Sequence, residues 1–315
     1  MHLNCLVGSM EEYDIVIVGG GPAGVSAAIY TRRKLLRTAI ISRDIGGQVL
    51  LTTNIENYPG YQGKTGSGLA DIFEAQLAEV GAELISDRVI LVERREGGFR
   101  VQCEEAEVFA KALIITAGSA YKKLGVPGED KFFGNGVSVC ATCDAPMTRN
   151  KITAVIGGGN AAFQSAELLS KFASKVFLVH RRESFRADGI LIERVGKLPN
   201  IEFMLRSVVK EIYGGEKVEG MKILDREKGT IFDLKVQKIF IEVGREVKLD
   251  YVKDLIKLNE RGQAIVDRLQ RTSCKGIFAA GDITDLPYGQ AIIAAGQGAV
   301  AGLAAYDFLM ESARG

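Results

Sequence analysis

Tyr13–Gly24 reads Tyr-Asp-Ile-Val-Ile-Val-Gly-Gly-Gly-Pro-Ala-Gly, and this stretch decides the fold of the 315-residue chain. Its apolar, β-branched half predicts a buried strand, and its glycines predict a tight turn into a helix. The Ala-rich segment from Pro22 to about Arg33 predicts that helix, and Thr38–Ser42 predicts the next strand. Strand, glycine turn, helix and strand make up the βαβ unit of a nucleotide-binding sheet.

A second copy of this unit begins at the predicted strand Ile152–Ile156. Its turn is Gly157-Gly158-Gly159-Asn160-Ala161-Ala162, its helix extends to about Phe172, and its second strand covers Lys175–His180. In both copies, the first glycine of the turn and the end of the second strand are 23 positions apart. Two matched copies are far more specific than a single glycine motif, and they predict two nucleotide sites.

The order of the remaining segments predicts how the domains are arranged. Leu113–Gly118 closes the first copy and Ile239–Gly244 closes the second, each after a turn-rich segment that predicts a small β-meander. The tail after residue 246 is too short for another such domain, so we expect it to complete the first one. The predicted fold is α/β, with two Rossmann-like, three-layer ββα domains, the second inserted in the first. The predicted boundaries are 1–118 with 247–315, and 119–246.

Charge and hydropathy exclude several classes of partner. The chain has 40 basic and 39 acidic residues, a net charge of +1, and therefore no electrostatic footprint for nucleic acid or an anionic membrane. No apolar run is expected to approach the ~20 residues that a membrane span requires, so we expect no membrane span. Met1–Met10 lacks the cationic and apolar regions of a signal peptide.

The first glycine turn is expected to hold a flavin dinucleotide. Its glycines let the backbone approach a pyrophosphate, which then lies on the helix N-terminus. Asp282, at the end of a predicted strand, is placed to accept a hydrogen bond from a ribityl hydroxyl, and the helix starting near Gln290 points its positive end at the flavin ring. The candidate residues are Gly19, Gly21, Pro22, Ala23, Gly24, Gly46, Gly47, Gln48, Gly118, Gly281 and Asp282.

The second turn is expected to bind NADPH rather than NADH. An acidic residue that would hold a ribose 2′-hydroxyl is replaced by His180-Arg181-Arg182, with Arg186 nearby. Guanidinium groups suit a 2′-phosphate through charge-assisted hydrogen bonds, whereas a carboxylate would repel it. The candidate residues are Gly157, Gly159, Asn160, Ala161, His180, Arg181, Arg182 and Arg186.

Cys140-Ala141-Thr142-Cys143-Asp144 lies between the two turns and admits three interpretations. Zinc would need further ligands that the chain's scattered Cys5, Cys103 and Cys274 do not supply, so no metal is expected. Two inert core thiols are the second interpretation. The pattern favours the third, a redox-active disulfide with Asp144 as a proton carrier, in a reducing cytoplasm.

These motifs together resemble the low-molecular-weight thioredoxin reductase family from about Tyr13 to the C-terminus. The resemblance implies bound FAD, NADPH as donor, a thioredoxin- or glutaredoxin-like protein as acceptor, and a cytoplasmic homodimer. It implies that Cys140 and Cys143 form the active disulfide, with Cys143 nearer the flavin and Asp144 as general acid. It also implies that Asn57 approaches the flavin ring and that Gln290 and Ala291 present backbone to it. Which cysteine attacks the partner stays open.

The chain departs from the family pattern near the expected nicotinamide path. Gly289 replaces a basic residue, Thr116-Ala117-Gly118 replaces Ala-Thr-Gly, Arg245-Glu246-Val247 replaces a Pro-Asn segment, and Glu242 replaces a small residue. These changes bear on donor preference and rate. Since the disulfide must meet both the flavin and a bulky protein, we expect one domain to rotate on the other at crossovers near 118–123 and 244–248.

Two other functions use the same motifs. The first is a dithiol oxidase or the flavoprotein donor of a peroxide-reducing system. The second is a flavin redox sensor that is not an enzyme. Turnover with oxygen, with thioredoxin, and with any disulfide acceptor separates the three.

Overall fold

The computed structural model describes residues 10–51, 55, 57–61 and 65–313. The strands are β1 Glu11–Val18, β2 Thr38–Ile41, β3 Glu83–Ile85, β4 Val89–Arg95, β5 Gly98–Cys103, β6 Glu107–Ile115, β7 Ala120–Tyr121, β8 Val137–Ser138, β9 Ile152–Gly157, β10 Lys175–Val179, β11 Ile201–Met204, β12 Ser207–Gly214, β13 Val218–Asp225, β14 Thr230–Lys235, β15 Lys238–Glu242, β16 Arg245–Glu246 and β17 Ile277–Ala279. The α-helices are α1 Pro22–Arg32, α2 Gly66–Val80, α3 Ala141–Asp144, α4 Asn160–Ser170, α5 Gly189–Gly196 and α6 Ala291–Ser312.

The chain separates into two compact units. Unit 1 combines the described residues of Met1–Ala120 and Val247–Gly315, and unit 2 is Tyr121–Glu246. The first crossover therefore lies two residues later than the sequence predicts. The two crossovers carry β7 and β16, which pair with each other, and the Lys122 N–H donates to the Gly244 carbonyl at 3.0 Å.

The sheet of unit 1 is parallel around β1 and antiparallel at one end. β2 and β6 flank β1, β3 pairs with β2, and β17 pairs with β6, all in parallel. β4, β5 and β6 form the antiparallel meander. β6 pairs with β5 along its first half and with β17 along its second, so it begins at Glu107, well before the predicted start at Leu113.

Both faces of this sheet are buried. Ile15 and Ile17 of β1 face the core that contains α1, α2 and α6. Val16 and Val18 face the core that contains the meander and residues 249–283. A strand covered on both faces is apolar throughout, as β1 is.

Unit 2 has three layers. Its parallel sheet, in the order β11-β10-β9-β15-β8, lies between α4 with α5 on one face and the antiparallel β12-β13-β14 sheet on the other. Phe163 of α4 is fully buried and contacts the rings of Phe185 and Phe203. The predicted α/β class with Rossmann-like parallel sheets is confirmed.

Helix α6 is long and apolar. Within the described part of the chain, α6 is 22 residues long and contains an 18-residue window with a mean hydropathy of 1.4, which would permit a membrane span by length and composition alone. The expectation that no apolar stretch approaches that length is therefore wrong for α6, in which alanine, isoleucine, leucine and valine supply most of the hydropathy. Gly298 lets α6 contact α1 directly, since a Cβ there would lie 2.0 Å from the Ala23 carbonyl oxygen.

Candidate functional site

The first glycine turn connects β1 to α1. Gly19 has φ +113°, and a Cβ there would lie 2.6 Å from the Thr116 carbonyl oxygen. A Cβ at Gly24 would lie 2.0 Å from the Gly19 carbonyl oxygen. A side chain at Gly19 would collide with the chain that follows β6, and one at Gly24 would push α1 away from the end of β1, so the packing itself requires both glycines.

The N-terminus of α1 is open to an anion. Gly21 is the extended N-cap without a side-chain cap, and Pro22 begins the first turn. A Cβ at Gly21 would meet nothing within 4 Å, so the space in front of the helix is free. The N–H groups of the first turn and the positive helix end favour a phosphate there.

The segment Gly46-Gly47-Gln48 lies beside this turn. The Gly46 N–H donates to the Gly20 carbonyl at 2.8 Å, and the Gly47 N–H donates to Asp44 Oδ1 at 3.1 Å. Gln48 Nε2 donates to the Ser119 carbonyl, directly after Gly118. The structure therefore brings this predicted segment against the first turn.

The segment that follows β17 in the C-terminal tail reaches the same turn. Gly281 has φ +83°, a Cβ there would lie 3.3 Å from Ala23 Cβ, and its N–H donates to Gln297 Oε1 at 2.8 Å. Asp282 follows and is half-buried. Sequence reasoning missed Gln297, because its contact depends on α6 folding back along α1.

A second uncapped helix start lies in the same unit. Gln290 is the N-cap of α6, but its side chain accepts no hydrogen bond from the first turn of the helix. Ala291 is the first helical residue. Gln290 Oε1 instead accepts from Asn57 Nδ2 at 3.1 Å. The three residues that the resemblance assigned to the flavin ring are thus adjacent.

The second glycine turn connects β9 to α4 in unit 2. A Cβ at Gly157 would lie 2.5 Å from the Glu242 carbonyl oxygen and 2.7 Å from Ala162 Cβ. Gly159 is the N-cap of α4 without a side-chain cap, and a Cβ there would meet nothing within 4 Å. The second turn therefore repeats both properties of the first, close packing behind and open space in front.

His180 supports this turn from beneath. A Cβ at Gly158 would lie 2.3 Å from the imidazole, whose Nε2 is 3.2 Å from the Ser184 carbonyl oxygen. His180 is 7% exposed, and burial lowers the pKa of its imidazole below the usual value, so the ring is neutral at pH 7. The sequence groups His180 with the arginines that are expected to bind the nucleotide, whereas the structure packs its ring against the loop.

Of the three arginines predicted to bind the 2′-phosphate, two lie in one pocket and the third does not. Arg181 and Arg182 line an open pocket of about 360 Å³, together with Glu183, Arg206 and Arg226. Arg206 and Arg226 were missed, since they come from the β11–β12 and β13–β14 turns, which are distant in sequence and belong to no local motif.

Two further predicted residues have structural contacts. Arg186 is not among the residues that line the pocket, and its N–H donates to the Gly158 carbonyl at 2.8 Å. Asn160 Nδ2 donates to Asp188 Oδ2 at 2.9 Å, and the Asp188 N–H donates to Asn160 Oδ1 at 2.8 Å. These bonds fix the chain from β10 to α5 beside the second turn, next to Ala161.

Glu242 is a half-buried residue at the carboxyl end of β15, in register with Gly157. Ser165 Oγ of α4 donates to Glu242 Oε1 at 2.6 Å. Burial raises the pKa of Glu242 from 4.5 to about 7, against the lowering effects of the Ser165 hydrogen bond and Arg245. The side chain is therefore partly protonated at neutral pH.

Glu242→Gln is expected to stabilise the protein at high pH and to have little effect at low pH. Because the folded-state pKa is raised, the unfolded chain ionises first, and the stability cost grows from about pH 4.5 to pH 7. We expect a gain of roughly 2–3 kcal/mol at pH 8 and less than about 1 kcal/mol at pH 4.5. Urea unfolding at both pH values measures it, with the exposed Glu202→Gln as control. An equal gain at both pH values would contradict the burial argument.

Cys140 and Cys143 form a disulfide in unit 2, with their Cα atoms 5.3 Å apart. Cys140 is the N-cap of α3, and its Sγ accepts from the Cys143 N–H at 3.2 Å. The hydroxyl of buried Ser138 accepts from the Cys140 N–H at 3.2 Å. Both cysteines are half-buried.

The other cysteines differ in burial. Among the described residues, Cys103 and Cys274 are free thiols. Burial raises the pKa of Cys103 to about 12, so it is unreactive, while Cys274 is half-buried. Cys5 lies outside the described residues.

Asp144 closes α3 directly behind the disulfide. Its N–H donates to the Cys140 carbonyl at 3.2 Å. Burial lowers the pKa of Lys238, at the start of β15, and the charge of Asp144 acts in the opposite direction. The Asp144 carboxyl thus lies within electrostatic range of an ammonium group that the sequence did not indicate.

Known proteins resemble this chain over most of its length. Residues 13–298 match the family described as pyridine nucleotide-disulphide oxidoreductase. A thioredoxin reductase of Streptomyces coelicolor is 40% identical over 302 residues, which are 94% of this chain and 94% of that protein. The crystal structure of thioredoxin reductase from Streptococcus pyogenes superposes with a TM-score of 0.92 at 40% identity, covering 96% of this chain and 100% of that one.

A second kind of relative is longer than this chain. An alkyl hydroperoxide reductase protein of Pseudomonas putida is 36% identical over 311 residues, which are 97% of this chain. This chain spans 60% of the length of that relative.

Proposed function

Because the chain belongs to the pyridine nucleotide-disulphide oxidoreductase family, we propose that this oxidoreductase is a thioredoxin-disulfide reductase. One observation carries the proposal: the Cys140–Cys143 disulfide caps α3 within the same compact unit as the second glycine turn. Similarity to a thioredoxin reductase over 94% of both chains supports it.

The first turn fits the pyrophosphate of FAD. The open space at Gly21 and the uncapped start of α1 form the cradle, and Gly46–Gln48 lies beside it. Asp282 would accept from a ribityl hydroxyl, and Asn57 with Gln290 would approach the flavin ring. When bound, FAD supplies the two-electron chemistry that links a nicotinamide to a dithiol.

The second turn fits a nicotinamide dinucleotide. The uncapped start of α4 at Gly159 receives the pyrophosphate, and Gly157 allows the close packing that positions it. Arg181 and Arg182 would hold a 2′-phosphate in their pocket, which selects NADPH.

Cys140 and Cys143 carry the disulfide exchange. Reduction of their bond takes up two electrons and, after two protons arrive, leaves two thiols. One thiolate attacks the disulfide of a thioredoxin-like protein, which forms a mixed disulfide and expels one partner thiolate. The other cysteine then breaks the mixed disulfide, which restores the Cys140–Cys143 bond and releases the dithiol partner. Asp144 delivers a proton to the leaving thiolate.

The two half-reactions place opposing demands on the dithiol, which must meet the flavin and then a bulky protein. We infer that one unit rotates on the other between these steps. The division of the chain into two units with crossovers at Ala120–Tyr121 and Glu246–Val247 supports this, because such crossovers supply hinges.

We also infer a cytoplasmic homodimer. Only 33% of the apolar window of α6 is buried, and Ile292, Ile293, Leu303 and Met310 are 36–40% exposed. A second copy of the chain would cover this apolar face. The free thiols of Cys103 and Cys274 beside a single disulfide among the described residues support a reducing compartment.

The test is turnover of the purified full-length chain with NADPH and alternative acceptors. We expect a yellow protein with one FAD per chain and multiple turnovers with thioredoxin, but slow turnover with oxygen alone. A colourless protein that takes up no FAD would contradict the proposal. Turnover only with a peroxide-reducing partner would instead support the second candidate, which the 36% identity to an alkyl hydroperoxide reductase protein favours.

A further inference from the structure

Arg206 occupies an unusual backbone position for an arginine. It lies in the turn between β11 and β12 with φ +50°, in the left-handed region that glycine and asparagine adopt more readily. Its N–H donates to the Arg182 carbonyl at 3.1 Å, and its carbonyl accepts from the Arg226 N–H at 2.8 Å. The backbone therefore fixes Arg206 between the arginine pair after β10 and the β13–β14 turn.

The guanidinium of Arg206 holds two carboxylates. Nη2 is 2.7 Å from Glu183 Oε1, and Nη1 is 2.8 Å from Glu227 Oε1. Glu183 is the acidic residue among the five that line the pocket, and it directly follows Arg181 and Arg182. Arg206 thus neutralises the carboxylate in the lining of the pocket.

An unpaired Glu183 would oppose selection of NADPH. A carboxylate after the second strand of a dinucleotide fold suits the ribose 2′-hydroxyl of NADH and repels a 2′-phosphate. Here that carboxylate is adjacent in sequence to the arginines that would bind the phosphate. The preference of the pocket for NADPH over NADH therefore depends on whether Glu183 has a basic ion-pair partner.

We propose that Arg206 is a positioning residue for nucleotide selection, which pairs with Glu183 so that Arg181 and Arg182 present an uncompensated positive charge to a ribose 2′-phosphate. This inference rests on the proposed preference for NADPH. Removal of Arg206 alone leaves the Glu183 carboxylate unpaired. Removal of both Arg206 and the Glu183 carboxylate leaves no such charge beside the arginine pair. If Arg206 instead bound the 2′-phosphate directly, removing it would weaken NADP⁺ binding whether or not Glu183 is present.

Isothermal titration of the full-length holoenzyme with NADP⁺ and NAD⁺ tests the proposal. The variants are Arg206→Asn, chosen because asparagine tolerates positive φ, Arg206→Lys, Glu183→Gln, and the double Glu183→Gln/Arg206→Asn. Lys222→Asn removes another ion pair of unit 2, to Glu211 at 2.7 Å, and is the matched control. We expect Arg206→Asn to lower the ratio of NADP⁺ to NAD⁺ affinity about 10-fold, because repulsion between the unpaired Glu183 carboxylate and a 2′-phosphate near the protein surface is large enough for a change of that order.

The double variant gives the decisive comparison. We expect its affinity ratio to equal that of Glu183→Gln, while Arg206→Lys and Lys222→Asn stay near the wild type. If Arg206→Asn lowered the ratio of NADP⁺ to NAD⁺ affinity about 10-fold in the Glu183→Gln background as well, the proposal would be overturned. A wild type that does not prefer NADP⁺ would instead contradict the proposed function itself.

Discussion

The Cys140→Ser/Cys143→Ser double variant is expected to lose thioredoxin reduction completely and to keep NADPH-dependent bleaching of its flavin at nearly the wild-type rate. The first half-reaction involves only the nicotinamide and flavin, whereas the second requires both sulfur atoms of the observed disulfide. Rapid-mixing absorbance measures the bleaching, and steady-state assays with thioredoxin measure the exchange. A double variant that still reduces thioredoxin would show that this dithiol is not the relay.

Asp144→Asn is the matched comparison for the cysteine variants. It keeps the size of the side chain at the end of α3 but removes its capacity to deliver a proton. We expect thiol exchange to slow by roughly 10²–10⁴-fold while flavin bleaching stays near normal. Loss of both half-reactions would indicate a structural defect instead.

The Arg181→Ala/Arg182→Ala variant is expected to weaken NADPH binding by about 10²–10³-fold and NADH binding far less. Hydrogen bonds to a charged group contribute ~1.5–3 kcal/mol each, and these side chains line the pocket that follows β10. Titration of the holoenzyme with NADP⁺ and NAD⁺ measures both affinities. Raising the salt concentration should weaken NADP⁺ binding to the wild type and so reduce the difference, because the side chains are exposed.

Arg186→Ala serves as a control for this prediction. Arg186 belongs to the same sequence motif but does not line the pocket, and its observed contact is a backbone bond to Gly158. We expect a smaller loss than for the pair. Equal losses of NADPH and NADH affinity in the pair variant would remove the assignment of the 2′-phosphate.

Local sequence predicts the two turns because glycine spacing reports backbone requirements directly. Gly24 and Gly157 each stand where a Cβ would collide with backbone, and such a requirement is visible in the sequence as a glycine at a set position of the turn. The α/β class follows from the same pattern, since a continuous apolar strand before a glycine turn requires a sheet covered on both faces.

The sequence could not predict contacts that depend on distant elements. Arg206 and Arg226 reach the pocket only because the β11–β12 turn is bonded to the chain after β10 and the β13–β14 turn is bonded to the β11–β12 turn. Glu242 is visible in the sequence as an unusual residue, yet its raised pKa arises from burial beside Ser165 on α4. His180 belongs to the arginine motif in sequence but packs beneath Gly158 in space.

The measurement that tests the central claim most directly is an anaerobic thiol-trapping experiment on the wild-type holoenzyme. The protein is mixed with NADPH, quenched with excess iodoacetamide and digested, and each cysteine peptide is quantified by mass spectrometry. The account predicts that Cys140 and Cys143 become alkylated only after NADPH is added, while Cys103 and Cys274 give the same signal with and without it. A Cys140–Cys143 peptide that stays disulfide-linked while the flavin is fully bleached would contradict the account.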